Sequence, residues 1–87
     1  MRLALGPDIS TTDTDAGMVL LDERSGRYWQ LNPTGALILR TLLNGGILQH
    51  AAAELADRYP ALTPEQAGHD AAALLESLRT AGLVTRP

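Results

Sequence analysis

The pair Asn32-Pro33 divides this sequence into two parts whose apolar residues follow different rhythms. Proline has no amide to lose and a φ already near the helical value, so it suits the first position of a helix, while an asparagine just before it caps orphan amides of the first turn. Residues 1–32 read as β-rich and residues 33–82 as helical. Strands followed by helices, rather than strands alternating with them, define an α+β arrangement.

In the front part, Ile9-Ser10-Thr11-Thr12-Asp13 is polar and β-tolerant and is expected as an exposed first strand. Asp15-Ala16-Gly17 is a turn signal. Met18-Val19-Leu20-Leu21-Asp22 is a short apolar run, which predicts a second strand buried on at least one side. Glu23-Arg24-Ser25-Gly26 ends in glycine, as do loops that join a type I turn to a left-handed residue. Arg27-Tyr28-Trp29-Gln30-Leu31 then returns as a third strand, because Tyr and Trp favour a pleated, half-buried surface. Residues 18–31 therefore predict a hairpin.

Behind Pro33, the residues Ala36, Leu37, Ile38, Leu39, Leu42 and Leu43 make a helix that is apolar over a wide arc and should be the most buried one. Asn44-Gly45-Gly46 stops it. A second helix is predicted from about Ile47 to Tyr59, with Leu48, Ala51, Ala52, Leu55 and Tyr59 on one stripe and Pro60 after it. Thr63-Pro64-Glu65-Gln66 has the capping-box pattern with proline at the first helical position. The third helix that follows carries Ala67, Ala71, Leu74, Leu75 and Leu78 as its stripe. Gly82 fits the left-handed position after a helix, and Leu83 should fold back toward Leu78.

The chain has 87 residues, which makes it one domain over 1–87. A domain near this size buries roughly 60–65% of the surface of its unfolded chain, so it holds one modest core. Phenylalanine is absent and the aromatics are Tyr28, Trp29 and Tyr59, so aliphatic side chains and alanine must build that core. Cysteine is absent too, which excludes disulfides, thiolate metal sites and a cysteine nucleophile. The apolar run at the start is too short for a signal-peptide core, and no stretch approaches the ~20 apolar residues of a membrane span. A cytoplasmic protein with no membrane contact is expected. The formal charge is −3, with seven Arg and no Lys. A nucleic-acid binder needs a basic surface to displace counterions, so this balance argues against one.

No constellation for catalysis stands out. His50 and His69 lie in separate helices, and His69 and Asp70, about 100° apart on one helix, do not form a dyad. Lone histidines lack the partners that acid–base work requires. Asp13, Asp15 and Asp22 do not reproduce a calcium loop and are explained as turn residues. Gly45-Gly46 follows a helix, where a helix stop is a better account than a phosphate loop. No enzyme activity, metal or cofactor is expected.

Taken in order, Leu20-Leu21-Asp22, Gly26-Arg27-Tyr28-Trp29-Gln30-Leu31-Asn32, Gly35-Ala36-Leu37-Ile38-Leu39, Ala52-Ala53-Glu54-Leu55-Ala56, Asp70, Leu74-Leu75, Leu78 and Gly82-Leu83-Val84 resemble the PqqD-like family. The likeness runs from residue 18 to 84. It implies a winged-helix-like fold of three antiparallel strands and three helices, a RiPP recognition element. Members bind the leader of a ribosomally made precursor peptide and present it to a protease, cyclase or radical enzyme. The Tyr28–Ala36 segment is more similar to lasso-peptide members, whose partners are a leader peptidase and a cyclase. The alternatives are a PqqD-type peptide chaperone for a radical SAM enzyme, a winged-helix DNA-binding protein, and a stabilising subunit of a larger enzyme.

A sheet ordered one-two-three leaves the third strand as an edge, whose free amides and carbonyls can accept a guest strand. Specificity would come from guest side chains entering between that strand and the third helix. The residues expected at this site are Leu20, Arg27, Tyr28, Trp29, Gln30, Leu31, Gln66, Ala67, Asp70, Ala71 and Leu74. Alternation puts Tyr28 and Gln30 on one face and Trp29 and Leu31 on the other. Leu31 is expected in the core and Trp29 at the groove or in the core. Small Ala67 and Ala71 would either leave space for a guest ring or pack closely against the other helices. Glu65, Asp70 and Glu76 could steer guest lysines or be a solvated face. The second helix offers only Arg58 and the third only Arg79 to a phosphate backbone, which weakens the DNA-binding alternative.

Overall fold

The computed structural model describes residues 3–85. Their order is β1 (Ala4–Leu5), β2 (Ile9–Thr14), β3 (Gly17–Asp22), β4 (Tyr28–Leu31), α1 (Pro33–Leu43), α2 (Leu48–Arg58), α3 (Pro64–Thr80) and β5 (Val84–Thr85). The architecture is α+β, with a three-stranded antiparallel sheet ordered β2-β3-β4 and three helices. The expected first, second and third strands are β2, β3 and β4.

The chain has a second, smaller sheet beyond these expected elements. Ala4 pairs with Thr85 and Leu5 with Val84, so β1 and β5 form a second, two-stranded antiparallel sheet. The Gly6 amide extends this clasp by donating to the Leu83 carbonyl at 3.0 Å.

The local signals act as elementary chemistry requires. Asn32 accepts the Gly35 amide at 2.8 Å with Oδ1 and starts α1. Thr63 and Gln66 complete a reciprocal capping box at α3. At its far end the Gly82 amide donates to Arg79 and the Leu83 amide to Leu78, each at 3.0 Å, with Gly82 at φ +75°. These two bonds are the Schellman pattern, which satisfies carbonyls the helix leaves open. Gly26, at φ +76°, closes the β3–β4 loop in the left-handed conformation.

Two apolar clusters make the core. Met18, Leu20, Ala36, Leu39, Leu78, Leu83 and Val84 join the sheet to α1, α3 and β5. Ile38, Leu42, Ala51, Leu55, Ala67 and Ala71 join the three helices. α1 and α3 contribute to both, and α1 buries the most residues of any helix. One face of the sheet thus lies on α1, and the opposite face, with Val19, Leu21 and Tyr28, is turned to solvent.

Candidate functional site

β4 is an edge: among the described residues it pairs with β3 and with nothing else. The register fixes which of its main-chain groups are free. Met18 lies opposite Leu31, Val19 opposite Gln30, Leu20 opposite Trp29 and Leu21 opposite Tyr28. One step beyond, the Asp22 amide donates to the Arg27 carbonyl at 2.9 Å. Antiparallel neighbours exchange main-chain bonds at every second residue. Arg27, Trp29 and Leu31 therefore turn their main-chain groups toward β3, and Tyr28 and Gln30 turn theirs outward. The free ladder of β4 is the amide and carbonyl of Tyr28 and of Gln30.

The side chains divide by the same alternation, with the opposite consequence. Tyr28 and Gln30 point to the solvent face, and the Tyr28 side chain is well exposed at 66%. Trp29 and Leu31 point inward and pack, half-buried, on the core cluster of the sheet. The Arg27 guanidinium sits 5.4 Å from the centroid of the Trp29 ring, a cation–π distance.

Across from β4, the half-buried Leu74 of α3 packs on both core clusters. Gly35 of α1 lies between the two elements. A β-carbon at Gly35 would stand 3.4 Å from the Leu31 β-carbon and 3.6 Å from Leu74 Cδ2. Both are ordinary contact distances, and the nearest atom is Asn32 Oδ1 at 3.2 Å, so a side chain at this position would first crowd the α1 cap. Trp29, Leu31 and Leu74 form an apolar floor beside the open ladder. From Leu74, Asp70 is about one turn back on α3 and Gln66 about two turns back, and both are exposed. A concavity of about 290 Å³ lies at the end of β4, bounded by Thr14, Ala16, Met18, Val19, Gln30, Leu31 and Asn32.

Three expected site residues present no surface. Leu20, the cross-strand partner of Trp29, is 0% exposed and belongs to the core beneath the site. Ala67 and Ala71 are also 0% exposed. Their methyl groups are clustered with Ile38, Leu42, Ala51 and Leu55, so the space expected beside them is filled by α1 and α2. Of the two expectations for these small residues, room for a guest ring is overturned and close packing against the other helices is what the structure has. Gly35, by contrast, was not singled out for the site. The signal was there: a glycine in an otherwise apolar helix often marks a close approach.

Around the hairpin loop, the Arg24 amide donates to Asp22 Oδ1 at 3.0 Å. This bond, aided by Ser25, holds the Asp22 carboxyl below its ordinary range against a smaller opposing effect of desolvation. Among the described residues no group of three His, Asp or Glu is placed to hold a metal ion. No described helix is long and apolar enough to cross a membrane.

The fold is a small α+β module with an open strand edge at β4 and apolar side chains beside it. Residues 17–84 match the family described as coenzyme PQQ synthesis protein D, and the chain belongs to that PqqD family. It is similar to the solved structure of lasso peptide synthetase B1 complexed with the leader peptide, at 44% identity and a TM-score of 0.90, covering 99% of this chain and 100% of that one. It shares its fold with TbiB1 in complex with the TbiA(beta) leader peptide, at 20% identity and a TM-score of 0.83, covering 100% and 98% of the two chains. Comparison with curated proteins returned no match.

Proposed function

We propose that this chain binds the leader segment of a ribosomally made precursor peptide by strand addition at β4 and presents it to a leader peptidase in lasso-peptide biosynthesis. The observation that carries this reading is the pairing of an open ladder, at Tyr28 and Gln30, with an apolar floor of Trp29, Leu31 and Leu74. Main-chain bonds would hold the guest in register, and its alternate side chains would rest on the floor. The concavity beyond Gln30 has room for one more guest side chain. The similar lasso peptide synthetase B1 was solved with a leader peptide, which supports the lasso pathway over a radical SAM partner.

In this reading the whole chain is one winged-helix-like recognition domain that performs no chemistry itself. It works in the cytoplasm, where precursor peptides are made, with a leader peptidase and a cyclase as partners. Exposed Asp70, next to the floor, favours a guest carrying a lysine near that end. The test is titration of the full chain with a synthetic leader peptide, followed by amide shifts. Changes should centre on residues 27–32 and on the Gln66–Leu74 stretch of α3. Changes confined to α2 and β2 would refute the assignment.

A further inference from the structure

The sheet has a second open edge. β2 pairs with β3 on one side and, among the described residues, with nothing on the other. It spans six residues, Ile9–Thr14, and holds no proline and no lysine, two common devices that blunt an edge. The Glu23 amide donates to the Asp8 carbonyl at 2.9 Å, and the register continues as Ser10 opposite Leu21 and Thr12 opposite Val19. By the alternation of antiparallel ladders, Ile9, Thr11 and Asp13 turn their main-chain groups outward.

We propose that β2 pairs with the β2 of a second copy of this chain, antiparallel about a two-fold axis at Thr11. An outward-turned residue must meet an outward-turned residue. In a symmetric pair, partner numbers must then sum to an even value, and centring on Thr11 brings all three outward-turned residues, Ile9, Thr11 and Asp13, into the shared ladder. Ile9 lies opposite Asp13, Ser10 opposite Thr12 and Thr11 opposite its own copy. No carboxylate faces a carboxylate. Hydroxyl faces hydroxyl at Ser10–Thr12 on the solvent face and at Thr11 on the helix face, a favourable cross-strand pairing.

Asp13 points to the helix face, and an inward-pointing charge is one way to spoil an edge. Here Arg40 of α1 neutralises it, with Nη2 at 3.0 Å and Nε at 3.3 Å from Oδ1. α1 packs on β3, and the α1 helices of the two copies leave each other room. The two β3 strands would stand three strand spacings apart, roughly 14 Å, and an α-helix is about 10–12 Å across, so the two α1 helices fit side by side. The product is one continuous six-stranded sheet, three strands from each copy. Its outer edges are the two β4 strands, so pairing at β2 leaves both peptide ladders open. The contact is short and polar, which makes the association weak and concentration-dependent.

The test is sedimentation equilibrium of the full chain, without peptide, from about 10 μM to about 1 mM, the range that captures weak association. The mass should rise from one chain toward two. Thr11→Pro removes an outward amide and no β2–β3 bond, so it should stay folded by circular dichroism and keep the mass of one chain. Thr11→Lys, which places a charge on the axis, should do the same and stands in if the proline variant misfolds. Gln30→Pro, at the other edge, should leave the pairing intact. A wild-type mass that stays at one chain throughout would overturn the proposal. So would a dimer that persists in either Thr11 variant or is lost in Gln30→Pro.

Discussion

The α-carbon of Gly17 lies against the carbonyl of Leu31, so close that a β-carbon there would overlap the Leu31 oxygen and come within 2.7 Å of the Asn32 carbonyl carbon. Gly17 also has φ +135°, where side chains are rarely tolerated. The start of β3 is thereby fitted to the point where β4 ends and α1 begins. Gly17→Ala should cost at least about 3 kcal/mol, because backbone crowds the new methyl group and the conformation is strained. Urea unfolding with an unchanged slope and a lower midpoint would show it.

Proline can be used to separate the two sides of β4. Gln30→Pro deletes an outward amide and leaves the bonds to β3, while Trp29→Pro deletes an inward one. The first should retain the fold and weaken leader binding at least about tenfold, equivalent to about 1.4 kcal/mol. The second should destabilise the hairpin itself. Calorimetric titration alongside circular dichroism distinguishes them. Full leader affinity in a folded Gln30→Pro chain would contradict strand addition at this edge.

The cap of α3 should affect stability alone. Thr63 is exposed and accepts the Gln66 amide at 3.1 Å. Thr63→Ala should cost about 1 kcal/mol, which for a domain of this size lowers Tm by roughly 4–8 °C. Leader affinity at a temperature well below Tm should not change. Calorimetric melting and the same titration check both statements.

Acid should loosen the β3–β4 loop. The Arg24 amide, with help from Ser25, lowers the Asp22 carboxyl pKa in the folded chain. A group depressed in this direction contributes stability that is fully present above its unfolded pKa, about 3.9 for an aspartate. That contribution is lost as pH falls through the lower folded value. Asp22→Asn should remove the acid dependence, which amide exchange at Arg24 and Gly26 between neutral pH and about pH 3 would report.

What the sequence made legible was local. Asn32-Pro33, Thr63-Pro64-Glu65-Gln66 and Gly82-Leu83 each carry their own chemistry, and the structure uses all three as caps. The hairpin was equally legible, since Gly26 and the alternating Tyr28–Leu31 segment need only each other. The β1–β5 clasp was not. Strands of two residues have no period to detect, and their partners lie at opposite ends of the chain. Depth was also hidden. Alternation puts Leu20 on the face of Trp29 but does not say that Leu20 lies wholly beneath it. The sequence says that Ala67 and Ala71 are small. Only the packing of Ile38, Leu42, Ala51 and Leu55 says that the space is taken.

The clasp makes the described chain nearly a ring. Ala4 lies opposite Thr85 and Leu5 opposite Val84, so a short bridge could join the two ends without moving any strand of the larger sheet. New ends could then be opened elsewhere, most simply at the exposed Asn44–Gly45 turn between α1 and α2. A circularly permuted chain of this kind would carry both peptide-facing elements, β4 and α3, in a different order along the gene and in the same place in space.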